Sequence, residues 1–393
     1  MKILLLCSSW SQHTCGTRIY SRYANFFAER GHAVTLFFPT RFAFEDSIHP
    51  DVVVKSPPRW ISGMKGPATY NPFVLFLLVA HVLRNRYDII HVCPGHRPSF
   101  FIPALLSKKM KGSVLVDEWW EWFGKEGLGA KAGGVLKKTF ALFEDWLELR
   151  TKRFYDVIFP ITKTLRKRLP KDVQPRAVVL HGGVDEGLVA HEKQFAREQV
   201  GLPADQFIIG MCGLCIDDHS DNVPFFRAFC RQAERNSALK LLVSGQKKYL
   251  ETRFRDEVPD EYSIETGWQT YEKYNLYLSS CDVLVLPLAD DPRNRGRWPN
   301  KIGDFIRLKR RVITCPVGDL EGLFQENDEL GWCVKNDENA YYAVLSKILN
   351  MSGSDLCGLQ DTSVDGVMTV AEREVFILEA YKAVRGGAWS SDV

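Results

Sequence analysis

An α/β protein built from two doubly wound domains is what this sequence predicts, on three observations. Short apolar, β-branched runs alternate with longer stretches of helical spacing, the signature of βαβ units and a parallel sheet. The alternation breaks at Gly182-Gly183 and restarts near Gln206. The length of 393 residues suits two to three domains at ~150 residues each.

The elements come in order. Lys2 to Cys7 is a strand ended by Ser8-Ser9. Thr17 to Arg30 carries Ile19, Tyr23, Phe26 and Phe27 at helical spacing, and Gly31 stops it. Ala33 to Phe38 is the second strand, closed by Pro39. Asp88 to Cys93 (strand), Phe100 to Met110 (helix) and Ser113 to Val116 (strand) repeat the unit. A long helix over Val135 to Tyr155 precedes strand Val157 to Phe159, helix Thr164 to Leu169 and strand Ala177 to Leu180. In the second half Phe207 to Cys212, Leu239 to Val243, Val283 to Pro287 and Val312 to Cys315 read as buried strands. Helices are expected over Val223 to Arg235, Tyr271 to Ser279, Ile302 to Leu308 and, last, Val370 to Val384. The expected division is residues 1–185, residues 186–368, and a C-terminal helix and tail over 369–393 that crosses back to the first domain. The join lies near residues 182–205. Ligands of such sheets bind beyond the carboxyl ends of the strands, and a cleft between two such domains is the expected place.

Composition excludes several classes. With 45% hydrophobic residues the chain is not disordered. Ten cysteines, set mostly in apolar runs, do not make a disulfide scaffold and suit a reduced, cytoplasmic protein. The first apolar run, Ile3 to Cys7, is too short for a signal peptide. The longest, Pro72 to Leu83, falls short of the ~20 residues of a membrane span. The net charge of +3 hides an asymmetry: residues 1–190 hold 27 Lys+Arg against 16 Asp+Glu, residues 191–393 hold 24 against 32. Two domains of opposite sign suit different partners.

Several clusters could carry chemistry. The loop Ser8 to Thr17 comes after the first strand, and Gly16 opens the next helix. A small residue there admits a phosphate to the backbone N–H groups, although the spacing is not that of a dinucleotide fingerprint and a plain turn glycine reads equally well. The densest feature runs Asp290-Asp291-Pro292-Arg293-Asn294-Arg295-Gly296-Arg297-Trp298-Pro299-Asn300-Lys301-Ile302-Gly303-Asp304. It leaves an apolar strand and enters a helix, and its cations suit an anion. Asp304 stands three residues after Lys301, on the same helical face. A solvated charged loop is the competing reading. A third cluster, Asp117-Glu118-Trp119-Trp120-Glu121-Trp122, comes after the strand ending at Val116. Its indoles can stack on a ring of a ligand and its carboxylates can accept hydroxyls or take a proton. An aromatic cluster with surface acids is the alternative. Cys212-Gly213-Leu214-Cys215 is a lone CxxC without further ligands and reads as core cysteines. His91 reads as a strand-end histidine, and His96 is a candidate ligand contact.

The order of these motifs resembles that of the family 4 retaining glycosyltransferases. Pro299-Asn300-Lys301-Ile302-Gly303-Asp304-Phe305, with Arg311 to Thr314 and Val317-Gly318-Asp319, is similar to the family's P-x-K-x-x-E-[YF]…P-V-[IV]…G stretch. Gly16 to Thr35, Tyr87 to His91, Gly182-Gly183-Val184-Asp185 and Ser280 to Pro287 resemble its glycine-then-helix opening, its D-[IV]-[IV]-H strand, its N-G-V-D turn and its A-D-V-x-V-x-P strand. The resemblance implies the GT-B fold, with two facing Rossmann-like domains, and transfer of a sugar from a nucleotide-diphosphate sugar to an acceptor. The second domain would hold the donor, with Asp304 near the ribose and Gly16 and Thr17 by the diphosphate. Arg293, Arg297 and Asn300 would complete the donor site. Arg295 and Lys301 would meet the charge developing on the leaving diphosphate, with no metal ion and no cofactor beyond the co-substrate. From the chemistry of the acidic-aromatic run, and not from the resemblance, Asp117 and Glu118 are the candidate catalytic carboxylates. His96, Trp119 and Glu121 would meet the acceptor, a lipid-linked molecule or a growing glycan. No nucleic-acid partner is expected. The sequence departs from the family pattern in three places. Gly296 stands eight residues before Asp304, Leu214 to Asp221 lacks the usual Arg and Lys, and Val116 to Trp122 holds no His. An epimerase of the same fold and a catalytically degenerate binding partner are the alternatives.

One further segment bears on location. Lys131 to Lys171 holds eleven Lys+Arg against four acids, and Leu136, Phe140, Phe143 and Leu147 recur at helical spacing inside it. That apolar face either packs on the sheet or lies on a bilayer. Attraction of about 1 kcal/mol per basic residue near anionic headgroups predicts peripheral, salt-sensitive attachment to the inner face of a membrane.

Overall fold

In the computed structural model the described residues are 1–9, 15–41, 48–62, 64, 68–131, 134–214, 220–254, 256–351, 356, 364 and 366–389. The chain divides into two units, Met1–His181 with Glu372–Val393, and Gly182–Ala371.

The first unit is a parallel sheet of β1 (Lys2–Cys7), β2 (Ala33–Phe37), β3 (Val53–Lys55), β4 (Ile89–Cys93), β5 (Val114–Trp119) and β6 (Val157–Pro160), in the order β3-β2-β1-β4-β5-β6. β1 is central because it is apolar on both faces: Ile3 to Leu6 have no exposed surface, as a strand covered by helices on both sides requires. Leu5 lies opposite Leu36 on one side and His91 on the other. The helix Cys15–Glu29 covers one face with Tyr20, Tyr23, Ala24 and Phe27, an i, i+3, i+4, i+7 stripe that is fully buried. The helix Val370–Arg385 adds Ile377, Leu378 and Tyr381 to the same core. The helices Arg59–Ser62, Pro72–Arg84, Pro98–Lys111, Val135–Thr151 and Lys163–Arg168 also belong to the unit.

The second unit repeats the plan with β7 (Phe207–Leu214), β8 (Leu239–Gly245), β9 (Ser263–Gly267), β10 (Val283–Leu286), β11 (Val312–Thr314) and β12 (Gly331–Cys333), all parallel, in the order β12-β11-β10-β7-β8-β9. Phe225 and Phe229 of the helix Val223–Ala233 are buried, and Phe225 meets Tyr341 of the helix Glu338–Leu349 edge-on. Asp282, just before β10, accepts from Arg197 Nη2 and from the Ile208 backbone, each at 2.7 Å, and so fastens the helix Lys193–Val200 to the sheet.

Three expectations change. Ala177 to Leu180 is not a strand. It makes one bridge to Ile158 and two hydrogen bonds, to the Ile158 and Pro160 carbonyls, and Pro160 has no N–H to extend the ladder. β5 runs to Trp119 rather than ending at Val116, because its acids find buried partners. The apolar face of Val135–Thr151 does not pack on the sheet: Ala141, Glu144, Glu148 and Thr151 face inward, while Leu136, Phe140 and Phe143 are exposed. Among the described residues, no helix is long and apolar enough to cross a membrane.

Candidate functional site

In a doubly wound sheet the crevice opens where strand order reverses. In the second unit that point lies between β7 and β10. β7 ends in an irregularity between Cys212 and Leu214, where Gly213 takes φ +66°. A Cβ at Gly213 would come within 2.6 Å of Lys301 Cε, so the strand end needs glycine for two reasons, backbone conformation and the lysine lying across it. Lys301 Nζ donates to the Gly213 carbonyl at 3.4 Å. Lys301 opens the helix Lys301–Arg307, and Asp304, one turn on, accepts from the Tyr274 hydroxyl at 2.9 Å. The same hydroxyl is 3.2 Å from Cys212 Sγ. Burial pushes the Cys212 thiol up to about 11 against the pull of Lys301, so it is not a thiolate nucleophile. Its CxxC partner Cys215 lies outside the described residues, as does most of the stretch lacking Arg and Lys, 215–219.

The arginine loop comes after β10. Asp291 caps the short helix Pro292–Arg295 by accepting from the Asn294 backbone at 2.7 Å. Asn294 is buried and donates to Asp221 Oδ2 and the Ala289 carbonyl, both at 2.8 Å. Arg293 Nη2 lies 3.5 Å from Asp221 and 3.6 Å from Asp291. Arg295 is exposed and forks onto Asp290 at 2.6 and 2.7 Å. That hydrogen bond holds the Asp290 carboxyl below its ordinary range. Arg297 is half-buried beside the buried Trp298. A Cβ on Gly182 would lie 2.2 Å from Asn300 Oδ1, so the Gly182-Gly183 turn passes directly against the loop. Lys301 and Asp304 thus stand together at the mouth of β7, Arg293 is held among carboxylates, and Arg295 is turned to solvent. Tyr274 and Asp221 carried no motif in the sequence. Only their place, on a tyrosine-rich helix and at the end of an aspartate run, could have marked them. Among the described residues, no three His, Cys, Asp or Glu side chains converge as metal ligands do.

At the reversal point of the first unit, between β1 and β4, the Ser8 N–H donates to the Cys93 carbonyl at 2.9 Å. Gly16 is packed so closely that a Cβ would lie 3.1 Å from Cys7 Sγ. Thr17 is buried and its hydroxyl bonds Ser9 at 2.6 Å, so it braces the turn rather than offering itself to a ligand. Residues 10–14 of this loop lie outside the described residues.

The acidic strand end corrects the expectation of exposed catalytic groups. Asp117 has no exposed surface; it accepts from the Gly95 N–H at 2.8 Å and pairs with buried Lys152. Glu118, equally buried, pairs with Arg373, accepts from Tyr23 at 3.1 Å and lies 3.4 Å from His91 Nε2. Burial pushes the Glu118 carboxyl up, but Arg373 and His91 pull it down harder, to about 2. Trp119 is buried and donates to Glu148 Oε1 at 2.6 Å. His96 is buried 3.4 Å from Glu144, and burial lowers its pKa against the pull of that carboxylate. None of these four reaches solvent, because each is paired inside the unit. Glu121 is the one acid of the run left half-exposed.

Residues 17–188 match the family model described as Glycosyltransferase Family 4. No curated protein matches the chain. Among solved structures, sucrose-phosphate synthase from Thermosynechococcus elongatus has a TM-score of 0.74 at 16% identity, over 98% of this chain and 100% of that one. Anabaena Alr3699/HepE, in complex with UDP and glucose, has a TM-score of 0.71 at 12% identity, over 98% and 100%. A protein titled as a UDP-N-acetylglucosamine 2-epimerase from Listeria monocytogenes has a TM-score of 0.61 at 12% identity, over 99% and 98%. At these identities the likeness is one of fold. The family match thus lies within the first part of the chain, and the likeness over its whole length shows the GT-B fold.

Proposed function

We propose that the protein is a glycosyltransferase of family 4 that takes its sugar from a nucleotide-diphosphate donor held by the second unit. It passes the sugar, with retention and without a metal ion, to a lipid-linked or glycan acceptor held by the first. The observation that carries the reading is Lys301 lying across Gly213 at the point where strand order reverses, with Asp304 one turn away. An ammonium there can meet the β-phosphate as the bond between the anomeric carbon and the phosphate oxygen breaks and negative charge develops on the leaving nucleoside diphosphate. Arg297 adds a second cation. Asp304, oriented by the Tyr274 hydroxyl, can accept two ribose hydroxyls. With Asp117 and Glu118 buried, half-exposed Glu121 is the acid of its run that solvent and an acceptor hydroxyl can reach. The UDP and glucose in the Anabaena complex are a property of that protein and support the class of donor.

A thermal-shift panel of UDP-, GDP-, ADP- and CMP-sugars tests the donor. A ligand at ~100 times its dissociation constant adds about 2.7 kcal/mol. The donor so found is then hydrolysed slowly, with its nucleoside diphosphate released, and EDTA leaves the rate unchanged. Inactivation by EDTA reversed by Mn²⁺ overturns metal independence. Conversion to an epimeric sugar without release assigns the epimerase reaction instead, and binding without either reaction assigns a degenerate partner.

A further inference from the structure

The helix Val135–Thr151 is folded inside out for a soluble protein. Its buried positions are Ala141, Glu144, Glu148 and Thr151, and both glutamates are held by partners: Glu144 by Tyr70, His96 and Arg97, Glu148 by Trp119 and Arg168. Its large apolar side chains face out. Leu136 is 85% exposed and Trp146 58%, with Val135, Phe140, Leu142 and Phe143 also exposed. The patch does not stop at this helix. Phe140 meets the ring of Tyr70 at 5.3 Å. Three residues on, Phe73 of the helix Pro72–Arg84 meets Trp60 at 5.3 Å, and Phe76 is 76% exposed. Phe143 stacks on Trp146 at 6.1 Å, which carries the belt to the other end. A continuous apolar face of this size marks an interaction surface.

Charge says what covers it. Residues 131–171 hold eleven Lys+Arg and four acids. Of those acids Glu144 and Glu148 are buried, Asp145 is paired with Arg168 and Asp156 with Lys108. The cations remain at the surface: Lys137, Lys138, Arg150, Arg153, Arg166 and Lys167 are all exposed. They border the apolar patch directly. Leu136, Phe140 and Leu128 line a hollow of about 570 Å³ with Lys137 and Arg97 at its edge. Leu142 and Trp146 line a second, of about 360 Å³, with Arg150 and Arg153. An aromatic and aliphatic face ringed by cations in excess of acids matches the boundary between acyl chains and anionic headgroups. We propose that the first unit docks on an anionic lipid bilayer through this face, with Leu136, Phe140, Phe143 and Trp146 entering the acyl boundary. The hollow beside Leu128 is sized for the end of one lipid chain. Docking does not depend on the transfer chemistry, and vesicle binding is read without turnover.

The experiment is co-sedimentation of the full chain with vesicles of phosphatidylcholine alone or mixed with phosphatidylglycerol, at low and high salt. The chain pellets with the anionic vesicles at low salt and is released at high salt. The double variant Leu136→Ser/Phe143→Ser and the double variant Lys137→Gln/Lys138→Gln each bind at least about tenfold more weakly. Both keep the unfolding midpoint of the parent, because all four positions are exposed. Absence of binding at low salt, indifference to lipid charge, or parental binding by the serine variant overturns docking. So does a concentration-dependent dimer that the serine variant abolishes, which assigns the face to a second copy of the chain.

Discussion

At the end of β5, in the first unit, an Asp, a Glu and a Trp are held by Lys152, Arg373 and Glu148. After β10, in the second unit, two aspartates and three arginines lie within eight residues, and several pair with one another: Asp290 with Arg295, Asp291 with Arg293. Both stretches sit at carboxyl ends of parallel strands, and both look like ligand sites as strings of letters. The difference lies in how far away the counter-charges are. Glu118 and Arg373 are 255 positions apart in the chain, so the pair is a long-range contact that fixes the fold. Asp290 and Arg295 are five apart, so their turn holds itself in place and stays open to solvent. Dense charge with local partners can remain a surface; dense charge with distant partners becomes interior.

Breaking the interior pair has the largest expected effect. Arg373→Ala leaves Glu118 buried without its guanidinium and costs about 3–5 kcal/mol, read as a lower urea midpoint. The pH dependence comes from the depressed carboxyl. Its folded pKa of about 2 lies below the ordinary 4.5, so its stabilisation is complete above about pH 4.5 and is lost as the pH falls from there toward 2. In Arg373→Ala the slope of stability against pH over that window flattens. An unchanged slope would mean that the pair does not set the carboxyl.

The next effect moves binding and not stability. Lys301→Ala or Arg297→Ala removes a charge-assisted hydrogen bond of roughly 1.5–3 kcal/mol, which is about ten- to hundred-fold in donor affinity, with the unfolding midpoint held. Asp304→Asn weakens the donor less, since one acceptor oxygen remains. Donor titration calorimetry beside thermal melts separates the two units: a melt that collapses in Lys301→Ala would put this loop in the same class as the β5 end. Smallest is Arg295→Ala. Its partner is exposed, and the loss is below about 1 kcal/mol in stability, with donor affinity near that of the parent.

The long strands and the helices with strong spacing were legible. β1 and the helix Tyr271–Ser279 have the bounds the sequence predicts. β3, β9 and β12 were not, because they are short edge strands without a buried run: all three residues of β3 are exposed and none of β9 or β12 is fully buried. Of the candidate residues, the placing of Lys301 and Asp304 together at a strand end was legible, because motif, spacing and the preceding strand agree. Asp117 and Glu118 misled because Lys152 and Arg373 are invisible to a local reading. The helix Val135–Thr151 shows the limit of periodicity: its apolar stripe was plain in the sequence, yet the face that turned inward was the one carrying Glu144 and Glu148, whose partners lie on other elements.

The helix Val370–Arg385 begins with two residues assigned to the second unit and ends in the core of the first. During synthesis, therefore, the first unit emerges whole except for the piece that seals it. Ile377, Leu378, Tyr381 and the guanidinium for Glu118 arrive only after the second unit has been made. At ribosomal speeds of 5–20 residues per second, the roughly 190 intervening residues take about 10–40 s. For that interval the nascent first unit holds Glu118 without its guanidinium, and Phe27 and Phe159 without the rings of Tyr381 and Phe376, apolar surface of the kind that makes nascent chains prone to aggregate. A gene cut at codon 181 would leave that state permanent.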